Sequence, residues 1–428
     1  MQVKIQPAST ISGAIRLPGD KSISHRFAIL ASIAEGTSTL RNFSTGADPH
    51  STLNCVETLG IGVDRDGTEI KVHGKGLRGY SAPEKTLDVG NSGSTIRMLS
   101  GILAAQPFLS RLEGDSSIAR RPMKRIITPL ELMGAKMAAV DGTYPPIEIQ
   151  GTADIRAIDY TLPVASAQVK SCVLFAGLYA NGTTVTRESH KTRDHSELAL
   201  KEFGADIQAR GTTVSITGGA TLTGRELIVP GDLSGAAFFL VAAILAKESN
   251  LILYDVGLNP SRTALIDFLV GGGARIKVLD MRSSGGELIG DLQVQASRFQ
   301  GGVIDKGLTA ALIDEIPVLA VLGAMSEEGL TVRDAGELRV KETDRIATIA
   351  ENMRRMGIEI DTSHDGFRIP GQQQFRAAEV DSFGDHRIAM AFAVAGLFGH
   401  DGETTVNEAE AASVSYAEFY DTVARIRG

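Results

Sequence analysis

The chain has 428 residues, 43% hydrophobic and 22% charged, a globular composition long enough for two to four domains. Its 43 basic against 51 acidic residues leave a net charge of −8, which speaks against a protein that coats a polyanion. Trp is absent, so stacking platforms for bases or sugars are not expected to be its main business.

The chain opens on MQVKIQPASTISG, which alternates like a short strand over residues 3–5 and has neither a secretory apolar core nor a transit composition. It reads as the start of the mature protein. The segment RLPGDKSISHRFAILASIAEGTSTL (16–40) follows, and IVPGDLSGAAFFLVAAILAKESNLIL, from residue 228, repeats its plan of strand, PGD turn and apolar helix. Pro18 and Pro230 lie 212 residues apart, about half the chain. Within each half, small-residue helices open near Ser22, Ser94, Ser166, Ser234, Asp314 and His386, at spacings of 68 to 80 residues. Each opening is followed by an amphipathic helix that closes at a glycine: Gly60, Gly134, Gly204, Gly273 and Gly357, with the terminal Gly428 in the same register.

The sixth unit thus ends where its strand should begin, and the N-terminal strand is expected to supply it. The predicted domains are 1–19 plus 231–428, discontinuous, and 20–230, hinged near Gly19 and Gly231. If the six helix starts point one way, their partial positive charges converge on the gap between the halves and attract anions, and the halves are expected to close on an anionic substrate. Cys55 and Cys172 cannot make a disulfide framework, so a reducing, cytoplasmic setting is expected. The longest apolar stretch, 388–398, falls well short of the roughly 20 residues that span a bilayer.

In chain order, PGDKSISHR (18–26) sets Lys21, Ser22 and Arg26 around a helix start. That suits phosphate or carboxylate, or equally a capped surface helix with solvated cations, and it is not a Walker A loop. GNSGSTIR (90–97) offers backbone N–H groups between glycines without matching GxGxxG. In GDSSIARRPMKR (114–125), Arg120, Arg121, Lys124 and Arg125 could form a basic solvated face, but the preceding Gly-Asp-Ser-Ser and the Pro after Arg121 suggest a shaped loop and favour an anion clamp. ASAQVKS (165–171) brings Ser166 and Gln168, which could read hydroxyls or merely cap a helix.

LTAALIDEIPVLAVLG sets Asp314 and Glu315 in an apolar run; Asp314 is expected to cap the helix, with Pro317 in its first turn, and could also accept a hydroxyl proton. RVKETDRI (339–346) packs Lys341, Glu342, Asp344 and Arg345 together, as a surface ion-pair turn would, and GDHRIAM brings Asp385, His386 and Arg387 to the last helix start. Together these groups describe a site for a multiply anionic small substrate with acid-base chemistry. No metal-ligand spacing occurs among the eight histidines, and neither cysteine lies in an electropositive turn.

As a set, PGDKSISHR, GNSGSTIR, the Arg120-Arg121-Pro122 loop, SAQ, LIDEIPVLA, RVKETDR and GDHRIAM resemble the 5-enolpyruvylshikimate-3-phosphate (EPSP) synthase family over essentially the whole chain. The resemblance implies an α/β fold: two domains forming an inside-out α/β barrel, three βαβαββ-type units in each, and an active site in the cleft. It implies transfer of the enolpyruvyl group of phosphoenolpyruvate to the 5-hydroxyl of shikimate-3-phosphate through a tetrahedral intermediate, with release of phosphate. Neither cofactor nor metal is implied, nor a nucleic-acid or membrane partner, and a monomer is expected.

By the same resemblance, Lys21, Ser22, Arg26, Ser166, Gln168, Arg193, Asp314 and Lys341 fall at shikimate-3-phosphate contacts. Lys21, Gly93, Arg121, Gln168, Arg345, His386 and Arg387 fall around phosphoenolpyruvate. Lys21, Asp314 and Glu342 take the catalytic places, Asp314 receiving the 5-hydroxyl proton and Glu342 protonating the methylene carbon. Three departures, Ala167 for a second Ser, Val414 for a C-terminal Lys and the RDHSE segment around Arg193, resemble the second bacterial subgroup of the family. The rival is the UDP-N-acetylglucosamine enolpyruvyl transferase family, which characteristically carries a reactive Cys in the Arg-Pro loop; here Ser116 and Ser117 occupy that neighbourhood.

Overall fold

The helices of this chain are of two kinds, and the difference decides their place. In chain order they are α1 (Lys21–Ser32), α2 (Ala47–Thr58), α3 (Gly93–Leu103), α4 (Lys124–Leu132), α5 (Ala167–Gly177), α6 (His195–Phe203), α7 (Leu233–Leu245), α8 (Ala264–Gly271), α9 (Lys306–Leu312), α10 (Ile316–Met325), α11 (Arg345–Arg355), α12 (His386–Gly396) and α13 (Phe419–Ile426). Helices apolar on every side must sit inside, whereas a one-sided apolar stripe lies on a core. In the computed structural model, which describes residues 1–428, α7 is buried continuously from Ala236 to Ile244. By contrast, α11 buries Ile346, Ile349, Ala350 and Met353 and exposes Arg354 and Arg355.

The chain divides into two compact units. The inner unit, inner in sequence, comprises Gly19–Val229 and the short turn Ser283–Glu287. The outer unit comprises Met1–Pro18, Pro230–Arg282 and Leu288–Gly428. The core of the inner unit gathers residues of α1, α3 and α5, and that of the outer unit residues of α7, α10 and α12. Close packing of these helices depends on small residues. A Cβ at Gly101 of α3 would lie 2.2 Å from the Cys172 carbonyl oxygen of α5, a separation no other residue permits. The amphipathic helices close on glycines as their sequences predict: Gly60, Gly134, Gly204, Gly273 and Gly357 all have positive φ, between 80° and 112°.

Six small sheets cover the helices, and the first sheet of each unit explains the PGD turns. In the inner unit Glu226–Ile228, just before the second PGD turn, runs parallel to Glu35–Arg41. In the outer unit Thr10–Arg16, just before the first, runs parallel to Glu248–Gly257. The chain therefore leaves a strand of one unit at each turn and enters a core helix of the other, passing at Pro18/Gly19 and Val229/Pro230.

The last sheet has three strands: Gln2–Ile5 lies antiparallel to Thr404–Asn407, which runs parallel to Glu379–Asp381. The N-terminal strand thus takes the place beside the middle strand, which in the third sheet of the inner unit belongs to Thr213–Thr217. The place directly after α13 is reduced to a bridge between Arg427 and Ile11. The turn Ser283–Glu287 is a feature the repeat did not foretell. Its Glu287 is 2% exposed, with Oε1 2.7 Å from His195 Nδ1. No single helix is long and apolar enough to cross a membrane.

Candidate active site

In the inner unit the site begins where α1 does. Asp20 accepts a hydrogen bond from Ile23 N at 2.9 Å, capping the helix and setting Lys21 and Ser22 in its first turn. Lys21 Nζ lies 3.0 Å from Asp48 Oδ2 in the first turn of α2. One turn along α1, Arg26 is 3% exposed and held from three sides: it donates to the Ser22 carbonyl (2.8 Å), to Ser196 Oγ (2.6 Å) and to Ser171 Oγ (3.1 Å). Burial pushes the Arg26 pKa down to about 10, against the pull of Glu197 and Asp20. Between Lys21 and Arg26 in sequence stands His25, fully buried, with Nδ1 2.7 Å from Thr52 Oγ1. Burial first, then the charges of Lys21 and Arg26, lower its pKa well below the usual imidazole value.

A second group forms at the start of α3, capped by Ser92 through Thr95 N at 3.0 Å. Gly93 opens the helix, and a Cβ there would lie 2.8 Å from Arg97 Nη1 and 3.2 Å from Arg121 Nη1. The glycine therefore leaves room for two guanidinium groups. Arg97 Nη1 donates to Gln168 Oε1 at 2.7 Å, Gln168 Nε2 donates to Ser94 Oγ at 3.0 Å, and Arg121 Nη2 donates to Asn91 Oδ1 (3.2 Å) and Ser117 Oγ (3.0 Å).

Helix α5 joins the two groups, because its Gln168 meets Arg97 and its Ser171 meets Arg26. Ser166 occupies the N-cap of α5, its hydroxyl 3.5 Å from Val169 N. Arg193 is half-buried in the loop before α6, near enough for its charge to act on Arg26. That loop is tied down by Glu188, which accepts from Thr192 and from Lys170 Nζ at 2.9 Å; Lys170 is 1% exposed and also meets Glu197 at 2.7 Å.

The outer unit arranges its candidates around one guanidinium. Arg345, 1% exposed at the start of α11, places Nη2 2.6 Å from Glu342 Oε2, Nε 2.8 Å from Asp385 Oδ2 and Nη1 3.7 Å from Asp314 Oδ1. Burial opposes its charge, but Asp385 and then Glu342 outweigh that and raise its pKa. Lys341 Nζ lies 3.7 Å from the same Asp314 oxygen. Asp385 is fully buried; it also caps α12 through Arg387 N at 2.9 Å and accepts from Thr343 Oγ1 at 3.2 Å. His386 is 2% exposed, with Nδ1 3.9 Å from Asp385 Oδ1, and Arg387 Nη1 donates to the Asp314 carbonyl at 2.9 Å.

One sequence expectation is corrected here. Asp314 does not hold the cap position of α10, which begins at Ile316 with Glu315 at the N-cap and Pro317 in its first turn. The reason is the 110° bend between α9 and α10, which leaves Asp314 in the link, turned toward Lys341 and Arg345.

Sequence reasoning passed over three participants. Arg97 lies in a segment notable for its backbone donors, Asp48 lies in none of the motifs, and Asp385 sits beside His386 and Arg387 with no role expected of it. For Asp385 a usable signal existed, an acidic N-cap before a core helix. Both cysteines are buried, and burial pushes the thiol of Cys55 up to about 12 and that of Cys172 up as well, which leaves no thiolate nucleophile near neutrality.

Comparison with known proteins matches residues 5–423 to the family model for EPSP synthase (3-phosphoshikimate 1-carboxyvinyltransferase). A 3-phosphoshikimate 1-carboxyvinyltransferase of Solibacter usitatus is 62% identical over 426 residues, covering 100% of both chains. One of Koribacter versatilis is 52% identical over 426 residues and 99% of each chain. Among solved structures, an EPSP synthase of Acinetobacter baumannii superposes with a TM-score of 0.89 at 39% identity, covering 100% of this chain and 98% of that one.

Proposed function

The chain belongs to the EPSP synthase family, and on that premise we propose how its residues perform the 3-phosphoshikimate 1-carboxyvinyltransferase reaction. The enzyme joins the 5-hydroxyl of shikimate-3-phosphate to C2 of phosphoenolpyruvate and releases phosphate. The first step puts a proton on the methylene carbon and the hydroxyl oxygen on C2, while the hydroxyl gives up its own proton, forming a tetrahedral adduct. The second removes a methyl proton and expels phosphate, restoring the double bond. One group must therefore take a proton from oxygen and another must give one to carbon.

Asp314 is the base in this reading and Glu342 the acid. The observation that carries it is their common partner, since both carboxylates face the buried Arg345, Glu342 Oε2 at 2.6 Å from Nη2 and Asp314 Oδ1 at 3.7 Å from Nη1. Asp314 has the looser contact with Arg345 and meets Lys341 at 3.7 Å, which leaves its carboxylate available to a substrate hydroxyl. Lys21, Ser22, Arg26, Ser166, Gln168, Arg193, Asp314 and Lys341 are the residues proposed to hold shikimate-3-phosphate. Lys21, Gly93, Arg121, Gln168, Arg345, His386 and Arg387 are proposed to surround phosphoenolpyruvate, its phosphate and carboxylate clamped by different cations. Arg97 joins these by orienting Gln168.

We take the two units as the two domains of the family, and, since one chain holds every residue named, a monomer as the working enzyme. Two buried thiols suit a reducing, cytoplasmic compartment. The test is a phosphate-release assay with either shikimate-3-phosphate or UDP-N-acetylglucosamine as acceptor. Turnover is expected with the first only. Asp314→Ala and Glu342→Ala should each lower kcat by about 10²–10⁴-fold while substrate dissociation constants change little. Equal losses in turnover and binding would overturn the acid-base assignment.

A further inference from the structure

Glu315 follows Asp314 in the link between α9 and α10 and sits at the N-cap of α10 without capping it. Its side chain turns instead toward the first turn of α7. There Ser234 Oγ donates to Glu315 Oε1, and Arg262, in the loop before α8, donates through Nη2 to the same serine oxygen. Arg262 Nη2 also lies 3.4 Å from Glu315 Oε1 and 3.9 Å from Asp232 Oδ1, the carboxylate that caps α7. All three side chains are buried, with Glu315 and Ser234 3% and Arg262 7% exposed. A buried carboxylate in a polypeptide link is costly unless it is paired, and here Oε1 is paired with Ser234 and Arg262. The helix does not use it as a cap, and none of the proton transfers described above uses it either.

The consequence falls on its neighbour. The carbonyl of Asp314 accepts from Arg387 of α12 at 2.9 Å, and the residue after it is pinned to α7 and Arg262. The backbone of Asp314 is thereby anchored at its carbonyl and at the residue that follows, at the sharp bend between two helices. From this anchored position its carboxylate reaches toward Lys341 and Arg345, each at 3.7 Å. Arg262 also offsets the negative charge of Glu315, so the adjacent carboxylate adds little to the field at Asp314.

We propose that Glu315, Ser234 and Arg262 form a positioning unit for Asp314. They act through Asp314 and not on the substrate, and the inference rests on the assignment of Asp314 as the group that takes the hydroxyl proton. A displacement of about 1 Å at a reacting group costs about 100-fold in rate, which sets the scale of the effect.

The experiment is a double-mutant cycle in the full-length enzyme, with kcat and both KM values measured in the phosphate-release assay. Glu315→Ala is expected to lower kcat about 100-fold with each KM within about twofold. The variant carrying both Asp314→Ala and Glu315→Ala is expected to be no slower than Asp314→Ala alone, because the positioning unit has nothing left to position. Glu315→Gln, which keeps an acceptor for the Ser234 hydroxyl, should recover part of the loss.

Additive losses in the double variant, or a Glu315→Ala enzyme that melts earlier but turns over normally, would overturn the proposal and leave Asp314 as the base. Wild-type turnover in Asp314→Ala alone would instead overturn the base assignment and this inference with it. If Glu315→Ala does not fold, Ser234→Ala removes a single hydroxyl and carries the same cycle, with a loss of about tenfold in kcat and the same lack of additivity expected.

Discussion

The arginine clusters of the two units have different surroundings. In the inner unit Arg26, Arg97 and Arg121 donate to hydroxyl, amide and carbonyl oxygens: Ser22, Ser171 and Ser196, then Gln168, then Asn91 and Ser117. Neutral acceptors fix the direction of a guanidinium without cancelling its charge. In the outer unit Arg345 faces three carboxylates, Asp314, Glu342 and Asp385. There the cation gathers acidic groups around it. On the proposed function, the contrast would weight the inner cluster toward anion holding and the outer toward proton transfer.

The contrast can be broken by removing one arginine from each side. Arg345→Met leaves the fully buried Asp385 and its neighbours without their common cation, and loss of a buried partner costs about 3–5 kcal/mol. We expect a large fall in the denaturation midpoint along with loss of turnover. Arg121→Met should leave stability within about 1 kcal/mol, because the hydrogen bonds it donates to Asn91 and Ser117 go to neutral acceptors. Its phosphoenolpyruvate KM should rise by about tenfold or more, the worth of one charge-assisted contact. Equal destabilisation of the two variants would remove the distinction.

A milder substitution sharpens the inner half of the comparison. In Gly93→Ala the new methyl meets only the ends of two flexible side chains, Arg97 Nη1 at 2.8 Å and Arg121 Nη1 at 3.2 Å. They can yield, so melting should change by no more than about 1 kcal/mol, while displaced guanidiniums weaken phosphoenolpyruvate binding by about tenfold. Steady-state kinetics checks this. An unchanged KM would mean that Arg97 and Arg121 do not set the phosphoenolpyruvate end of the site.

Much of this architecture is written locally. The turn residues Pro18-Gly19-Asp20 and Pro230-Gly231-Asp232, the small-residue helices and the glycines with positive φ after the amphipathic ones depend on neighbours in sequence. They were therefore legible without a structure. Partnerships across the fold were not. Nothing local to Asp48 says that it meets Lys21, or that Asp385, 40 residues beyond Arg345 and behind a different helix start, completes the outer cluster. Asp314 shows the intermediate case. Its apolar surroundings marked it as special, but the bend that makes it a link residue, and gives the cap position to Glu315, comes from how α9 and α10 pack.

His25 reports on the inner cluster with the smallest expected effect. It is fully buried beside Lys21 and Arg26, and its pKa lies well below 6.5, from burial first and those two charges second. Below pH 6.5 the unfolded chain takes up a proton that the folded chain refuses, so the unfolded state binds more protons and stability rises with pH. The contribution is fully present above about pH 6.5 and is lost as pH falls toward the folded-state pKa, by at most about 1.4 kcal/mol per pH unit. Denaturation curves between pH 7.5 and 5 should show that slope in the wild type, and His25→Gln should flatten it. Because burial is the larger cause and the cations the smaller, Lys21→Met should remove only part of the slope. A slope unchanged in both variants would place the titration elsewhere, and one abolished by Lys21→Met alone would make the cations, not burial, the dominant influence on this imidazole.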